Sequence, residues 1–275
     1  MDAPSSSLYL DLLKRSLTRG LFDEVLVPLA LEEPTLKKSL LVPFEKLLRR
    51  RRIVVARAIS MRGAFEKSPP RQIRTAETLI GPVGLDNLQQ LIEDILRSDT
   101  PGDFIETGVW RGGAVIFMRG VLAAHGDETR TVWAADSFAG LPKRGATRYP
   151  QDDADFDWAH ETWLAVSLDD VKSNFERYSL LDDRVRFLAG WFHETLADAP
   201  IDRLALMRLD GDMYGSTMDA LELLYPKLSV GGYVIVDDYQ LPSCRAAVNT
   251  FREVHGIDDE LVPVDRAIVY WQRTG

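Results

Sequence analysis

Two clusters of aspartates, each directly behind an apolar run, constrain this chain more than any other feature. Asp210 and Asp212 sit in Arg208-Leu-Asp-Gly-Asp-Met-Tyr214, and the pair Asp237-Asp238 follows Tyr233-Val-Ile-Val236. Short apolar runs bounded by turn residues read as buried strands of a parallel sheet. Two neighbouring parallel strands ending this way bring several carboxylates to one edge of a sheet, where they repel. A hard divalent cation such as Mg²⁺ resolves that repulsion. It prefers oxygen ligands, takes a few from carboxylates and keeps positions for water and substrate. One loop aspartate is commonly a turn former or helix cap. Two clusters, each behind a strand, point instead to a metal site at the mouth of an α/β enzyme.

The pattern along the chain agrees with that class. Residues 8–29 and 36–58 have helical periodicity, and residues 60–75 read as a loop punctuated by Gly63 and Pro69-Pro70. Residues 86–97 form an amphipathic helix. Strands and helices then alternate: strands at 104–108, 131–135, 185–189, 204–209 and 233–236, helices at 113–125, 167–178, 216–226 and 243–255. A polar stretch at 139–160 reads as a long loop, and 261–272 as a closing hairpin around Asp265-Arg266. Such alternation implies a mostly parallel sheet with helices on both faces. Ligands bind these sheets at the carboxyl ends of the strands, where the acidic residues stand.

Bulk properties remove several function classes. A formal net charge of -9 argues against general nucleic-acid binding, which needs a basic surface. The single cysteine, Cys244, excludes an intramolecular disulfide framework and fits a reducing cytoplasm. It reads as a structural thiol. No stretch is long and apolar enough to span a bilayer, and the amino terminus lacks a secretory apolar region. The run Arg49 to Arg52 departs from the acidic balance and reads as a solvated helix face, with an acidic partner, an anionic glycan or a membrane surface as the alternative.

The first strand of the alternating region runs into Glu106-Thr-Gly-Val-Trp-Arg-Gly-Gly113. Glycines there let the backbone turn sharply and a ligand approach closely. The spacing is not that of a dinucleotide fingerprint. The second strand ends in Asp136, at about the distance expected for an acid that bonds ribose hydroxyls. Together these indicate a nucleoside-containing cofactor without separating S-adenosylmethionine from NAD.

Ile-Glu-Thr-Gly-Val-Trp-Arg-Gly-Gly at 105–113, Ala-Asp-Ser-Phe at 135–138, Gly-Trp-Phe at 190–192, Leu-Asp-Gly-Asp-Met-Tyr at 209–214 and Val-Asp-Asp-Tyr at 236–239 resemble the macrocin O-methyltransferase family. The similarity covers about residues 8–20 and 76–273. It implies an S-adenosylmethionine- and metal-dependent enzyme that methylates a sugar hydroxyl. The implied fold is a class I methyltransferase Rossmann-like sheet with an N-terminal helical lid, divided into a lid segment at 1–75 and a methyltransferase domain at 76–275. The resemblance assigns Asp210, Asp237 and Asp238 to Mg²⁺, and Asp212 to proton abstraction. It assigns Ile80, Gly81, Glu106, Gly108, Asp136, Ser137 and Trp191 to the cofactor. His193 and His160 are alternative bases. The segment between about 30 and 75 departs from the antibiotic-tailoring members, which leaves an antibiotic, a polysaccharide, an oligosaccharide and a glycolipid open as acceptors. A catechol methyltransferase, a NAD-dependent sugar oxidoreductase and a non-catalytic binding module are the rival classes.

Overall fold

A computed structural model describes residues 3–28, 48, 51–60, 75–143, 147–155 and 162–275. Its centre is a seven-stranded sheet of β3 (Asp103–Thr107), β4 (Val132–Asp136), β5 (Val185–Ala189), β6 (Leu204–Leu209), β7 (Leu228–Val236), β8 (Val262–Pro263) and β9 (Val269–Gln272). The strand order is β5-β4-β3-β6-β7-β9-β8. The pairs among β3 to β7 are parallel, and β9 lies antiparallel between β7 and β8. This is the expected class I methyltransferase sheet. The chain leaves β3 towards β4 on one side and returns through β6 on the other. The switch point, where α/β sheets open a crevice for ligands, therefore lies between the carboxyl ends of β3 and β6.

The helices are α1 (Ala3–Leu17), α2 (Pro82–Arg97), α3 (Gly113–Ala124), α4 (Leu168–Arg177), α5 (Phe192–Thr195), α6 (Tyr214–Leu224) and α7 (Pro242–Val254). Both sheet faces are covered, which is why the central strands read as continuous apolar runs rather than alternating ones. On one face Phe104, Ala134, Leu206 and Ile235 pack with residues of α1 to α4. On the other, Ile105, Ala135, Met207 and Val234 pack with Leu221 of α6 and Val248 and Phe251 of α7. Adjacent strand residues thus serve opposite cores, as strand geometry requires.

The amino-terminal region corrects the sequence reading. The helix expected over 8–29 ends at Leu17. The chain turns through Arg19, at φ +62°, and then forms β1 (Glu24–Pro28). β1 pairs antiparallel with β2 (Ala56–Ser60), so the end of the helix expected over 36–58 is also strand. The cause is the alternation in Glu24-Val-Leu-Val-Pro28. Val25 and Val27 bury one face beside Ala76 and Ile59 while Leu26 stays exposed. Arg51 and Arg52 form a turn and Ile53 to Val55 are irregular, whereas residues 36–47, Arg49-Arg50 and the loop at 61–74 lie outside the described residues. The long loop expected at 139–160 contains a 3₁₀ turn at Pro150–Asp155. The closing hairpin is present as β8 and β9.

Candidate active site

The site is a cavity of about 1030 Å³ at the carboxyl ends of β3, β4, β6 and β7. That is enough volume for a nucleoside cofactor beside a second small molecule. Every residue the sequence singled out for cofactor, metal or base lines it, apart from His160, which lies outside the described residues.

The floor is set by close backbone approach. The backbone N–H of Gly108 donates to Ala135 O at 2.8 Å, and that of Asp210 to Thr107 O at 2.9 Å. The two strand ends meet so closely that a Cβ on Gly108 would lie 1.8 Å from the Asp210 carbonyl oxygen. Gly108 also has φ +87°, which a side chain would strain. Gly113, the first residue of α3, donates to Glu77 O at 3.0 Å, and a Cβ there would lie 2.5 Å from that oxygen. This contact holds the segment carrying Ile80 and Gly81 against the turn after β3. Glu77 is itself buried and bonded to Arg19, Arg177 and Tyr178. The sequence reading missed it.

Asp136 does more than close the second strand. Its Oδ2 accepts from the N–H groups of Val109 at 2.8 Å and Trp110 at 3.3 Å, and its Oδ1 from that of Phe138 at 2.8 Å. The carboxylate therefore braces the turn whose shape the cavity depends on. Burial raises its pKa against these bonds, which lower it. Ser137 donates to Gly140 O at 2.7 Å and accepts from Ala139 N–H at 3.1 Å, shaping the next loop. Trp191 follows β5 and caps α5, and Trp110 Nε1 donates to Trp163 O at 3.2 Å across the cavity rim.

The acidic clusters converge as expected. Oxygens of Asp210, Asp237 and Asp238 all lie within 4.8 Å of one another. Burial, then the neighbouring carboxylates Asp212, Asp210 and Asp237, push the Asp238 carboxyl well above the usual range. Burial likewise pushes Asp237 up to about 7 and Glu106 up to about 8, against the opposing pull of Arg208. A hard-oxygen donor set whose negative charge exceeds the single positive charge of Arg208 fits a Mg²⁺ ion. Asp212, at φ +59°, turns the chain at the cavity edge, and its N–H donates to Asp238 Oδ2 at 3.1 Å.

His193 stands elsewhere in the cavity. Its Nδ1 lies 3.9 Å from Asp219 Oδ2, and Arg148 donates to Asp219 Oδ1 at 2.5 Å. Asp152 accepts from Gly215 N–H at 2.9 Å and pins the Pro150–Asp155 turn to the start of α6. These contacts fix one wall of the cavity. Cys244 is buried beside Thr217 Oγ1 at 3.5 Å, and burial raises its thiol pKa, so it is a packing residue. The principal functional residue the sequence reading passed over is Arg208, fully buried behind the carboxylates. Its signal was one charge inside the apolar strand Leu204-Ala-Leu-Met-Arg-Leu209.

Comparison with known proteins agrees with this architecture. The family model for macrocin-O-methyltransferase matches residues 6–273. The demethyldecarbamoylnovobiocin O-methyltransferase of Streptomyces niveus is 54% identical over 200 residues, covering 72% of this chain and 76% of that protein. The mycinamicin III 3''-O-methyltransferase of Micromonospora griseorubida is 53% identical over 202 residues, covering 72% and 79%. The structure of the O-methyltransferase NovP superposes with a TM-score of 0.79 at 44% identity, covering 98% of this chain and all of that one. The calicheamicin methyltransferase CalS11, at 20% identity and a TM-score of 0.55, shares the fold. The chain belongs to the macrocin-O-methyltransferase family and is an O-methyltransferase.

Proposed function

We propose that this protein transfers the methyl group of S-adenosylmethionine to a sugar hydroxyl of a glycosylated small molecule, with Mg²⁺ in the site. The observation that carries the reading is the convergence of Asp210, Asp237 and Asp238 at the edge of the cavity, with Asp212 beside them. Residues 76–275 form the methyltransferase domain, and residues 1–75 the segment that helps cover the acceptor. Ile80, Gly81, Glu106, Gly108, Asp136, Ser137 and Trp191 hold the cofactor. The acceptor class is supported by the names of two relatives, a mycinamicin III 3''-O-methyltransferase and a rhamnosyl-tetracenomycin 4'-O-methyltransferase of Streptomyces olivaceus.

When bound, the cofactor supplies an electrophilic methyl group and Mg²⁺ supplies Lewis acidity that makes a sugar hydroxyl easier to deprotonate. Asp210, Asp237 and Asp238 hold the cation. The Glu106-to-Gly113 turn, braced by Asp136, orients the cofactor. Asp212 accepts the acceptor's hydroxyl proton, and its fixed backbone bond to Asp238 keeps it beside the metal ligands. The wall built from Arg148, Tyr149, His193 and Asp219 bounds the acceptor.

Calorimetry and turnover test this together. S-adenosylhomocysteine should bind and NAD should not. Deoxysugar glycosides should be methylated and simple catechols should not, with EDTA stopping turnover and Mg²⁺ restoring it. Full activity in chelated protein, or NAD binding in place of S-adenosylhomocysteine, overturns the reading.

A further inference from the structure

Arg208 is the one charged residue in the apolar run of β6, and it is 2% exposed. In the sheet register it stands opposite Glu106 on β3 and opposite Ile235 on β7. Side chains alternate along strands, so Glu106, Arg208, Asp210 and Asp237 all project on one face. The guanidinium uses this register fully. Nη1 donates to Glu106 Oε1 and, at 2.7 Å, to Asp210 Oδ2, while Nη2 donates to Asp237 Oδ1 at 2.5 Å. One planar cation thus ties together three strand ends. Arg208 does not line the cavity, whereas Glu106, Asp210 and Asp237 do. It acts from behind them.

Each carboxylate gives Arg208 only one of its two oxygens. Glu106 Oε2 is buried and has no hydrogen-bond partner among the described residues. Arg208 is therefore the partner that holds the Glu106 carboxyl in place. We propose that Arg208 is a positioning residue for the metal half of the site: its fork sets the separation of Asp210 and Asp237 for a divalent cation, and it anchors Glu106 behind them at the end of β3. The proposal rests on the reading above, in which the cation occupies this position. A lysine carries the same charge but is a point donor on a flexible stem and cannot span three carboxylates in fixed directions. Charge neutralisation and positioning are therefore separable.

The test is titration calorimetry of Mg²⁺ and of S-adenosylhomocysteine with wild-type protein and Arg208→Lys, with thermal melts to confirm folding. Positioning predicts that folded Arg208→Lys binds Mg²⁺ roughly ten- to a hundredfold more weakly, the usual effect of losing a residue that orients metal ligands. S-adenosylhomocysteine affinity should change less than Mg²⁺ affinity, because Asp136 and not Arg208 braces the turn after β3. If Arg208→Lys does not fold, the double variant Glu106→Gln, Arg208→Met removes one charge of each sign from the buried cluster, and the Mg²⁺ titration is made on it. Its Mg²⁺ affinity should still fall at least tenfold. A folded variant of either kind that binds Mg²⁺ within twofold of wild type reduces Arg208 to a counter-charge and overturns the proposal. Wild-type protein that binds no Mg²⁺ overturns the functional reading, and this proposal with it.

Discussion

The close approach at Gly108 gives a perturbation whose size follows from the backbone. Gly108 has φ +87°, and an added Cβ would lie 1.8 Å from the Asp210 carbonyl oxygen. An alanine there incurs the left-handed penalty, about 1–2 kcal/mol. It must also displace the end of β6 to reach ordinary contact, an overpacking cost of about 1–3 kcal/mol. Gly108→Ala should therefore lose about 2–5 kcal/mol on the same grounds. Gly126→Ala is the internal control. Gly126 has φ +72° but nothing within 4 Å of the added atom, so only the conformational penalty applies. Urea unfolding of both variants measures the difference. The displaced residue is Asp210, so Mg²⁺ affinity measured by calorimetry should also fall in Gly108→Ala and stay unchanged in Gly126→Ala. Equal stability of the two variants within about 0.5 kcal/mol, with unaltered Mg²⁺ binding, would refute the argument that the β3–β6 approach holds the site.

Two further outcomes separate roles within the acidic cluster. Asp212→Asn should keep Mg²⁺ and S-adenosylhomocysteine affinity and lose kcat by about 10²–10⁴, because an amide accepts hydrogen bonds but takes no proton at neutral pH. Asp210→Asn should instead partly recover at high Mg²⁺; rescue of Asp212→Asn by excess Mg²⁺ would move the base role to His193 or His160. Chelated protein should lose stability as pH rises from about 4, the ordinary carboxylate range, through the folded values of about 7 for Asp237 and about 8 for Glu106. Those carboxyls are raised, so the folded chain binds protons that the unfolded chain releases, and the stability present at low pH is lost across that window. Melting temperature against pH, with and without Mg²⁺, checks this; a metal-free profile that is flat or rising between pH 4 and 8 contradicts it.

The alternating core of the fold was legible because each strand and helix there carries its own local signal. The five expected strands and the helices between them appear close to their expected bounds, with β7 extended back to Leu228 and β5 only partly buried at the sheet edge. The acidic clusters were legible for the same reason, each lying directly behind its strand. The amino-terminal hairpin was not. Leu21-Phe-Asp-Glu-Val-Leu-Val-Pro28 satisfies a loose helical period, and only pairing with Ala56–Ser60 makes it a strand. Asp136 was placed correctly at the end of the second strand, yet its bonds to Val109 and Trp110 required the two strands to lie side by side.

Arg208 marks the boundary most sharply. The sequence showed a charge inside an apolar strand and nothing of its partners. Its contact with Glu106 spans 102 residues of chain. Local sequence determines which segments become strands, because backbone preference and hydrophobic period act over a few residues. Strand order and register decide which charges meet, and these are set by long-range pairing and by the burial of both sheet faces. The tertiary structure alone placed one guanidinium behind three carboxylates from three strands.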